Sequence, residues 1–353
     1  MKMILYIDLI SPAGHDNFDM NMIRLMKNNF EVDVMVRSEM IARISENANQ
    51  RVKPCPDEIF PDSRANKSRI RLGHALKWRW SQYKFVKYIL EEQAGSYDFV
   101  FFSSVDIFTF GLATMNIKRR NFAFVDHGIY RLNNRLTKFF YCKLLANDIK
   151  IIALEEYIAQ YMRENGICNP MSVIHHPVPI NTKKDFVELE GKSHYMIFAP
   201  STSNEEGFIK ELMDKRDHIP NRVSIVIKSH GIEFKSDNLR IFQNRIEQKE
   251  YEQMFADADF ILVPYESSYN YRTSAILFES LSKGKRVLLW GNNTLKNYFR
   301  DYPQSVCVFS DVDELLSMIT NLENVKFDIN QINDFMNHYS DEFISEQIKE
   351  AFS

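Results

Sequence analysis

The sequence lacks paired cysteines. Cys55, Cys142, Cys168 and Cys307 are scattered over 353 residues, a spacing that builds neither a disulfide framework nor a zinc site and that fits a reducing compartment. Glycine is sparse where nucleotide-binding turns need it. The first strand-to-helix turn, SPAGHDNFD, holds the single Gly14 in place of GxGxxG, so no dinucleotide is assigned there. No apolar run approaches the roughly 20 residues of a membrane helix. The apolar start MKMILYIDLI is too short for a signal peptide and reads as a first strand. A charge excess is also missing: net charge is −3, which gives no general attraction to nucleic acid. These absences lead us to expect a cytoplasmic protein with no metal, no cofactor and no nucleic-acid partner. What is present, 45% hydrophobic and 26% charged residues, is the composition of a globular protein. The length exceeds what one core usually supports, so two domains are expected.

Short, nearly continuous apolar runs alternate with helix-like stretches, the pattern of parallel α/β sheets. In the first half these runs are Met3–Leu9, Glu31–Val36, Tyr97–Ser103, Phe122–Val125, Ile149–Ala153 and Ser172–Ile174. His175-His176-Pro177-Val178-Pro179 then forms a stiff, extended segment suited to a hinge. Both histidines read as structural, since adjacency alone does not make a metal site. The second half restarts at Tyr195–Ala199 and ends in helical material at Asp311–Asn321 and Gln331–Phe352. The expected organisation is an α/β domain over residues 1–178, a second α/β domain over 179–330, and a terminal helical segment over 331–353. Two such halves would form a cleft between strand ends, suited to a two-substrate transfer with closure against water.

Asp257–Trp290 concentrates the chemistry. A strand (Phe260–Val263) ends in the polar, aromatic loop Tyr265–Arg272, and a helix over Thr273–Lys283 stops at Gly284 before a second strand. Loops at the C-terminal ends of parallel strands are where open sheets bind ligands. Thr273 or Ser274 can cap the helix, leaving backbone N–H groups aimed at an anion. Lys228, at a strand end before a Gly turn, reads either as a surface lysine or as a phosphate neutraliser. Asp126-His127-Gly128 closes the strand Phe122–Val125 with two titratable side chains, open to acid–base chemistry or to simple turn satisfaction. Gly14 and His15 read as turn chemistry or as a loop facing the cleft. Glu279 and Lys283 form an i,i+4 pair worth about 0.2–0.5 kcal/mol, yet Glu279 also borders an apolar face near the loop. Arg64–Lys87 carries eight Lys/Arg and no acid, interleaved with Trp78, Trp80, Tyr83 and Phe85. Such a stretch is either a solvated helix with inward aromatics or a surface attracted to anionic lipid. The one-sided charge in an otherwise acidic chain favours an anionic membrane surface.

RTSAILFESLSKGKRVLLWGN is similar to the donor-binding motif of GT-B glycosyltransferases, especially the large family four. The resemblance implies a GT-B-like α/β fold, two Rossmann-like domains facing a cleft, with the C-terminal helix crossing back to the N-terminal domain. It implies a metal-independent hexosyltransferase that moves a sugar from a nucleotide-diphosphate sugar to a glycan or lipid-linked acceptor in surface polysaccharide synthesis. A UDP-sugar is the default and a GDP-sugar the other option. Thr273 and Ser274 match the helix start at the diphosphate, Glu279 the glutamate on the ribose, and Gly284-Lys285 the turn into the next strand. Ser201 lies in the donor-side polar loop. SPAGHDNFD, with Gly14 and His15, is similar to the acceptor-side loop, and Asp126 and His127 to the catalytic strand end. Two departures stand out. Tyr271 lies eight positions before Glu279, where many members carry a second glutamate. PSTSNEEG lacks the expected Arg and Lys, which leaves Lys228 and Arg272 to neutralise the diphosphate. IVIKSH also resembles a strand end of polyol-phosphate transferases. Such a transferase, a sugar-nucleotide epimerase and a non-catalytic GT-B scaffold are the alternatives.

Overall fold

The central apolar runs, such as Met3–Asp8, Phe99–Ser104, Phe122–Val125 and Phe260–Val263, fold as parallel strands buried on both faces and so read as continuous, whereas Glu31–Val36 and Val223–Lys228 alternate. A computed structural model describes residues 1–10, 16–45, 51–60, 71–115, 121–127, 129–178, 189, 191–243 and 247–353. The chain divides into two units, Met1–Val178 with Ser340–Ser353, and Pro179–Tyr339.

The first unit holds β1 (Met3–Asp8), β2 (Glu31–Val36), β3 (Val52–Pro54), β4 (Phe99–Ser104), β5 (Phe122–Val125), β6 (Lys150–Ala153) and β7 (Met171–Val173). They pair in the order β3-β2-β1-β4-β5-β6-β7, every pair parallel. Strand order reverses between β1 and β4, the kind of point at which doubly wound sheets take ligands. Its helices are α1 (Asp16–Met26), α2 (Ser38–Ser45), α3 (Arg71–Tyr88), α4 (Ile107–Thr114), α5 (Arg135–Phe139) and α6 (Glu156–Glu164).

The second unit holds β8 (Tyr195–Ala199), β9 (Val223–Lys228), β10 (Phe234–Lys235), β11 (Leu239–Phe242), β12 (Phe260–Val263), β13 (Arg286–Trp290) and β14 (Cys307–Phe309). Their order is β10-β11-β9-β8-β12-β13-β14, parallel except for the β10–β11 edge pair. Its helices are α7 (Glu206–Asp214), α8 (Gln248–Asp257), α9 (Ala275–Ser282), α10 (Val312–Thr320) and α11 (Ile329–Asn337).

The helical stretch expected over Gln331–Phe352 is two helices. The first, α11, belongs to the second unit; the other, α12 (Asp341–Ala351), is capped by Ser340, whose side chain accepts from Phe343 N, and belongs to the first unit. Ile344, Ile348, Ala351 and Phe352 of this last segment are buried in the first unit's core. The Phe352 ring meets Phe99 and Phe101 edge-on at 5.5 Å. Polar pins surround that apolar seat. Arg24 donates to both Asp341 oxygens at 2.5 and 2.8 Å, and His175 N donates to Gln347 Oε1 at 3.0 Å. His175 Nε2 also lies 3.5 Å from Glu155, which is the structural role expected of that histidine.

Beneath the switch point lies a polar cluster that the sequence did not announce. Tyr6 donates to Asp19 Oδ1 at 2.6 Å, and Ser104 bonds Asp8; both carboxyls are fully buried. Burial pushes the Asp19 carboxyl well above the usual carboxylate range, and the nearby Asp8 charge pushes it the same way. A raised folded-state value means that the neutral form is favoured by folding. Its stabilising share is complete below the unfolded carboxyl range and is lost as pH climbs through the folded value. The variant Asp19→Asn keeps an acceptor for Tyr6 and cannot ionise. Relative to the parent it should therefore gain stability as pH rises above the unfolded carboxyl range, by up to about 1.4 kcal/mol per pH unit until the raised folded value is reached. Parallel curves of urea midpoint against pH for the two proteins would contradict this.

Candidate functional site

In the second unit the candidate donor residues gather at the C-terminal ends of β8, β9 and β12, because parallel strands deliver every outgoing loop to one edge. The loops are tied to one another. Asn204 donates to Lys228 O at 2.9 Å and to Ala199 O at 3.3 Å, joining the ends of β8 and β9. Glu266 N bonds Ser203 O and Glu205 N bonds Pro264 O, joining β8's loop to that of β12. The fully buried Tyr265 closes the set. Its hydroxyl is bonded to Ser274 Oγ at 3.2 Å and to the Ser201 side chain. Burial drives its phenol far above the ordinary range. Ser201, Lys228 and Ser274 are thus brought to one end of this sheet, through Tyr265 and Asn204, which sequence reasoning left unassigned.

Ser274, and not Thr273, caps α9: its side chain accepts from Leu277 N at 3.2 Å. Helix geometry then leaves the Ala275 and Ile276 amides ahead of the first intrahelical bond, at the positive end of the helix dipole. Thr273 contributes its carbonyl, which accepts from Tyr269 OH at 3.1 Å. The Arg272 guanidinium lies over the Tyr269 ring at 5.7 Å. At the other end of α9, Gly284 N bonds Leu281 O and Lys285 N bonds Ser280 O, with Gly284 at φ 64°. This is the paired closure that a left-handed glycine permits. Lys285 then turns inward and donates to Ala256 O and Ala258 O at 2.6 and 2.7 Å, closing the end of α8.

Glu279 sits on α9 about one-third exposed, engaged through both oxygens: Tyr251 donates to Oε2 at 3.1 Å and Lys283 to Oε1 at 2.5 Å. The pair with Lys283 is the one expected from spacing; the Tyr251 bond, 28 residues away, had no local signal. Burial lifts the Tyr251 phenol far above its ordinary range, and the Glu279 charge adds to the lift.

In the first unit the end of β5 presents Asp126 and His127. His127 Nε2 is 3.0 Å from Ser103 O at the end of β4, and its ring meets Phe18 edge-on at 5.0 Å. A carbonyl can only accept, so Nε2 carries the hydrogen and Nδ1 is the basic nitrogen. Asp126 accepts a hydrogen bond from Tyr141 OH. Gly14, His15 and Gly128 lie outside the described residues, as do residues 64–70 of the basic stretch. Among the described residues no cluster of His, Cys, Asp and Glu has the makings of a metal site. No described helix is long and apolar enough to cross a membrane.

No protein-family model matches the chain, and no curated protein matches its sequence. Solved structures do resemble it. A glycosyltransferase from Rickettsia africae superposes with a TM-score of 0.67 at 12% identity, over 99% of this chain and 98% of that one. HepE from Anabaena, in complex with UDP, gives 0.65 at 13%, over 99% of each chain. The apo form of WaaB, a lipopolysaccharide outer core galactosyltransferase, gives 0.63 at 13%, over 99% and 98%. The fold is the GT-B fold, two Rossmann-like units, as the motif resemblance implied.

Tyr271 is the one non-glycine residue with positive φ, 56°, among those described. Its backbone N donates to Thr294 Oγ1 at 2.8 Å, and Thr294 N donates to Asn270 Oδ1 at 3.0 Å. This reciprocal clamp holds a conformation that costs a bulky residue about 1–3 kcal/mol. Glycine adopts it freely and a β-branched residue resists it. Tyr271→Val should therefore lose about 1–2 kcal/mol more stability than Tyr271→Gly. Coincident urea unfolding curves for the two variants would show that the clamp imposes no such constraint.

Proposed function

We propose that the protein is a glycosyltransferase that moves a sugar from a nucleoside-diphosphate sugar, UDP-linked by default and GDP-linked as the other option, to a glycan or lipid-linked acceptor in surface polysaccharide synthesis. One observation carries the reading: the Ser274-capped start of α9, with Arg272 before it and Glu279 one turn inside it, at the C-terminal edge of β12. A diphosphate leaving group develops negative charge as the sugar C1–O bond breaks. The Ala275 and Ile276 amides, Arg272 and Lys228 meet that charge in this reading. Glu279 holds the ribose. A carboxylate offers about four lone-pair sites, so Tyr251 and Lys283 fix its orientation and leave acceptor capacity for ribose hydroxyls. As the acceptor oxygen bonds C1, its proton passes to His127 Nδ1, with Asp126 as the alternative base. Thr273 and Ser201 serve the donor, and the acceptor-side role of Gly14 and His15 rests on the motif resemblance alone. The reaction takes place at the cytoplasmic face of a membrane, to which the cationic α3 stretch is attracted.

A second reading has one observation in its favour. Both Glu279 oxygens are already engaged within the chain, as they would be in a non-catalytic scaffold. Calorimetric titration with UDP and GDP separates the two, because a scaffold need bind neither. Release of a nucleoside monophosphate would instead mark a polyol-phosphate transferase, and turnover without acceptor an epimerase.

If the donor assignment holds, Glu279→Ala with an unchanged far-UV spectrum should weaken nucleotide affinity about tenfold or more; an unchanged affinity removes Glu279 from the site. His127→Ala should lower kcat about a hundredfold or more while leaving UDP affinity intact. Parental turnover in that variant would remove His127 from the chemistry.

A further inference from the structure

More than half of the large apolar side chains exposed among the described residues lie on three neighbouring helical segments of the first unit: Leu76 and Trp80 on α3, Leu112 on α4 with Met115 at its C-cap, and Leu136 and Phe139 on α5. Each is between 46% and 61% exposed. Within each segment the two residues are three or four positions apart, so each helix presents an apolar pair along one face. The helices are adjacent: α3 packs on α4, and α4 on the π-helical turn Phe140–Leu144 that continues α5.

The charge around these pairs has one sign. Lys77 and Lys84 on α3, Arg135 and Lys138 on α5, and Lys143 just after it are exposed. The segments 71–88, 107–115 and 135–147 contain no Asp or Glu. Asp106 at the N-cap of α4 is paired with Arg79 at 3.1 Å, and that guanidinium is further covered by the Trp78 and Phe108 rings; just past α3, Glu91 is paired with Lys87 at 3.1 Å. Arg79 and Trp78 therefore belong to the fold, as do the buried Gln82, Phe85 and Val86. What remains outward is apolar side chains bordered by five exposed cations that form no ion pair among the described residues.

We propose that α3, α4 and α5 together form one docking face for an anionic lipid bilayer, with Leu76, Trp80, Leu112, Met115, Leu136 and Phe139 entering the headgroup boundary and the five cations meeting lipid phosphates. The face extends the α3 attraction to two helices with no place in the basic stretch, and it does not depend on which group the protein transfers. Cationic borders select a charged surface over an apolar protein groove. Apolar pairs select a bilayer over soluble polyanions, because partitioning scales with apolar area buried at the interface together with charge attraction.

The test is sedimentation of the full chain with vesicles of phosphatidylcholine alone and of equal parts phosphatidylcholine and phosphatidylglycerol. The parent should bind the mixed vesicles and not the neutral ones. The double variant Leu136→Ser/Phe139→Ser, outside both the basic stretch and the site residues, should bind about tenfold more weakly. Lys138→Gln should weaken binding about fivefold, and both variants should keep the parental far-UV spectrum. Parental binding by both α5 variants would leave at most α3 at the lipid and overturn the three-helix face. Equal binding to the two vesicle types, or binding to neither, would overturn the lipid surface altogether. A parent that is dimeric in sedimentation velocity and becomes monomeric in the α5 double variant would assign the face to a second copy and also overturn the proposal.

Discussion

Parallel strand pairing is the constraint on which the rest of this molecule depends. Two parallel neighbours cannot be joined by a tight turn; the chain must cross over, usually through a helix, before it can return. Every outgoing loop then opens at the same edge of its sheet. In the first unit that edge receives Asp8, Ser103, Asp126 and His127, from β1, β4 and β5. In the second it receives Ser201, Lys228 and the loop from Tyr265 to Ser274, from β8, β9 and β12. Residues far apart in sequence share an edge because of backbone topology, before any side chain interacts. The exception, antiparallel β10, lies at the margin of its sheet and carries none of the candidate residues.

Gathering loops is not the same as fixing them, and the second unit shows how fixing is done. Backbone polar groups in buried loops need partners. Here side chains of neighbouring loops supply them, Asn204 for the ends of β8 and β9 and Asn293 for Glu266 O at 3.1 Å, and the Tyr265 hydroxyl ties the side chains of Ser201 and Ser274. α9 is closed at both ends, by the Ser274 cap and by the Gly284–Lys285 turn. A rigid frame of this kind is what lets Tyr271 persist in left-handed backbone, since a loose loop would relax into a more favourable region.

How much was legible in the sequence follows from the range of the interactions. Continuous apolar runs gave the long strands, and Ser274 and Gly284 marked the two ends of α9, because those signals are local. The two-residue β10 and three-residue β3 are too short for any periodic pattern to register. α4 is apolar almost all round, with Leu112 and Met115 left outward, so its period carries no face. Glu279 could be given its partner Lys283, four residues on, but not Tyr251. The Asp19–Tyr6 bond and the Arg79–Asp106 pair were equally invisible, because each joins residues that only the fold brings together. The site residues were named by motif. The side chains that orient them were not, since they lie on other elements and follow no fixed spacing.

The basic stretch shows most clearly what composition can and cannot decide. Eight cations and four aromatics in 24 residues admit both a solvated helix and a lipid-facing one, and the structure divides the described ones one by one. Arg79 is held by a carboxylate and two rings, so its charge is answered inside the unit. Phe85 is buried, whereas Trp80, one turn away from Lys84, stays in solvent and stacks on Tyr83 at 5.3 Å. Leaving a large apolar side chain half exposed forgoes roughly half of the 1.5–3 kcal/mol that full burial supplies, and six such side chains on adjoining helices forgo it together. A single exposed leucine needs no explanation; a cluster bordered by cations that find no carboxylate among the described residues does. The inward half of that stretch builds the fold, and only its outward half, joined by α4 and α5, is left to meet something else.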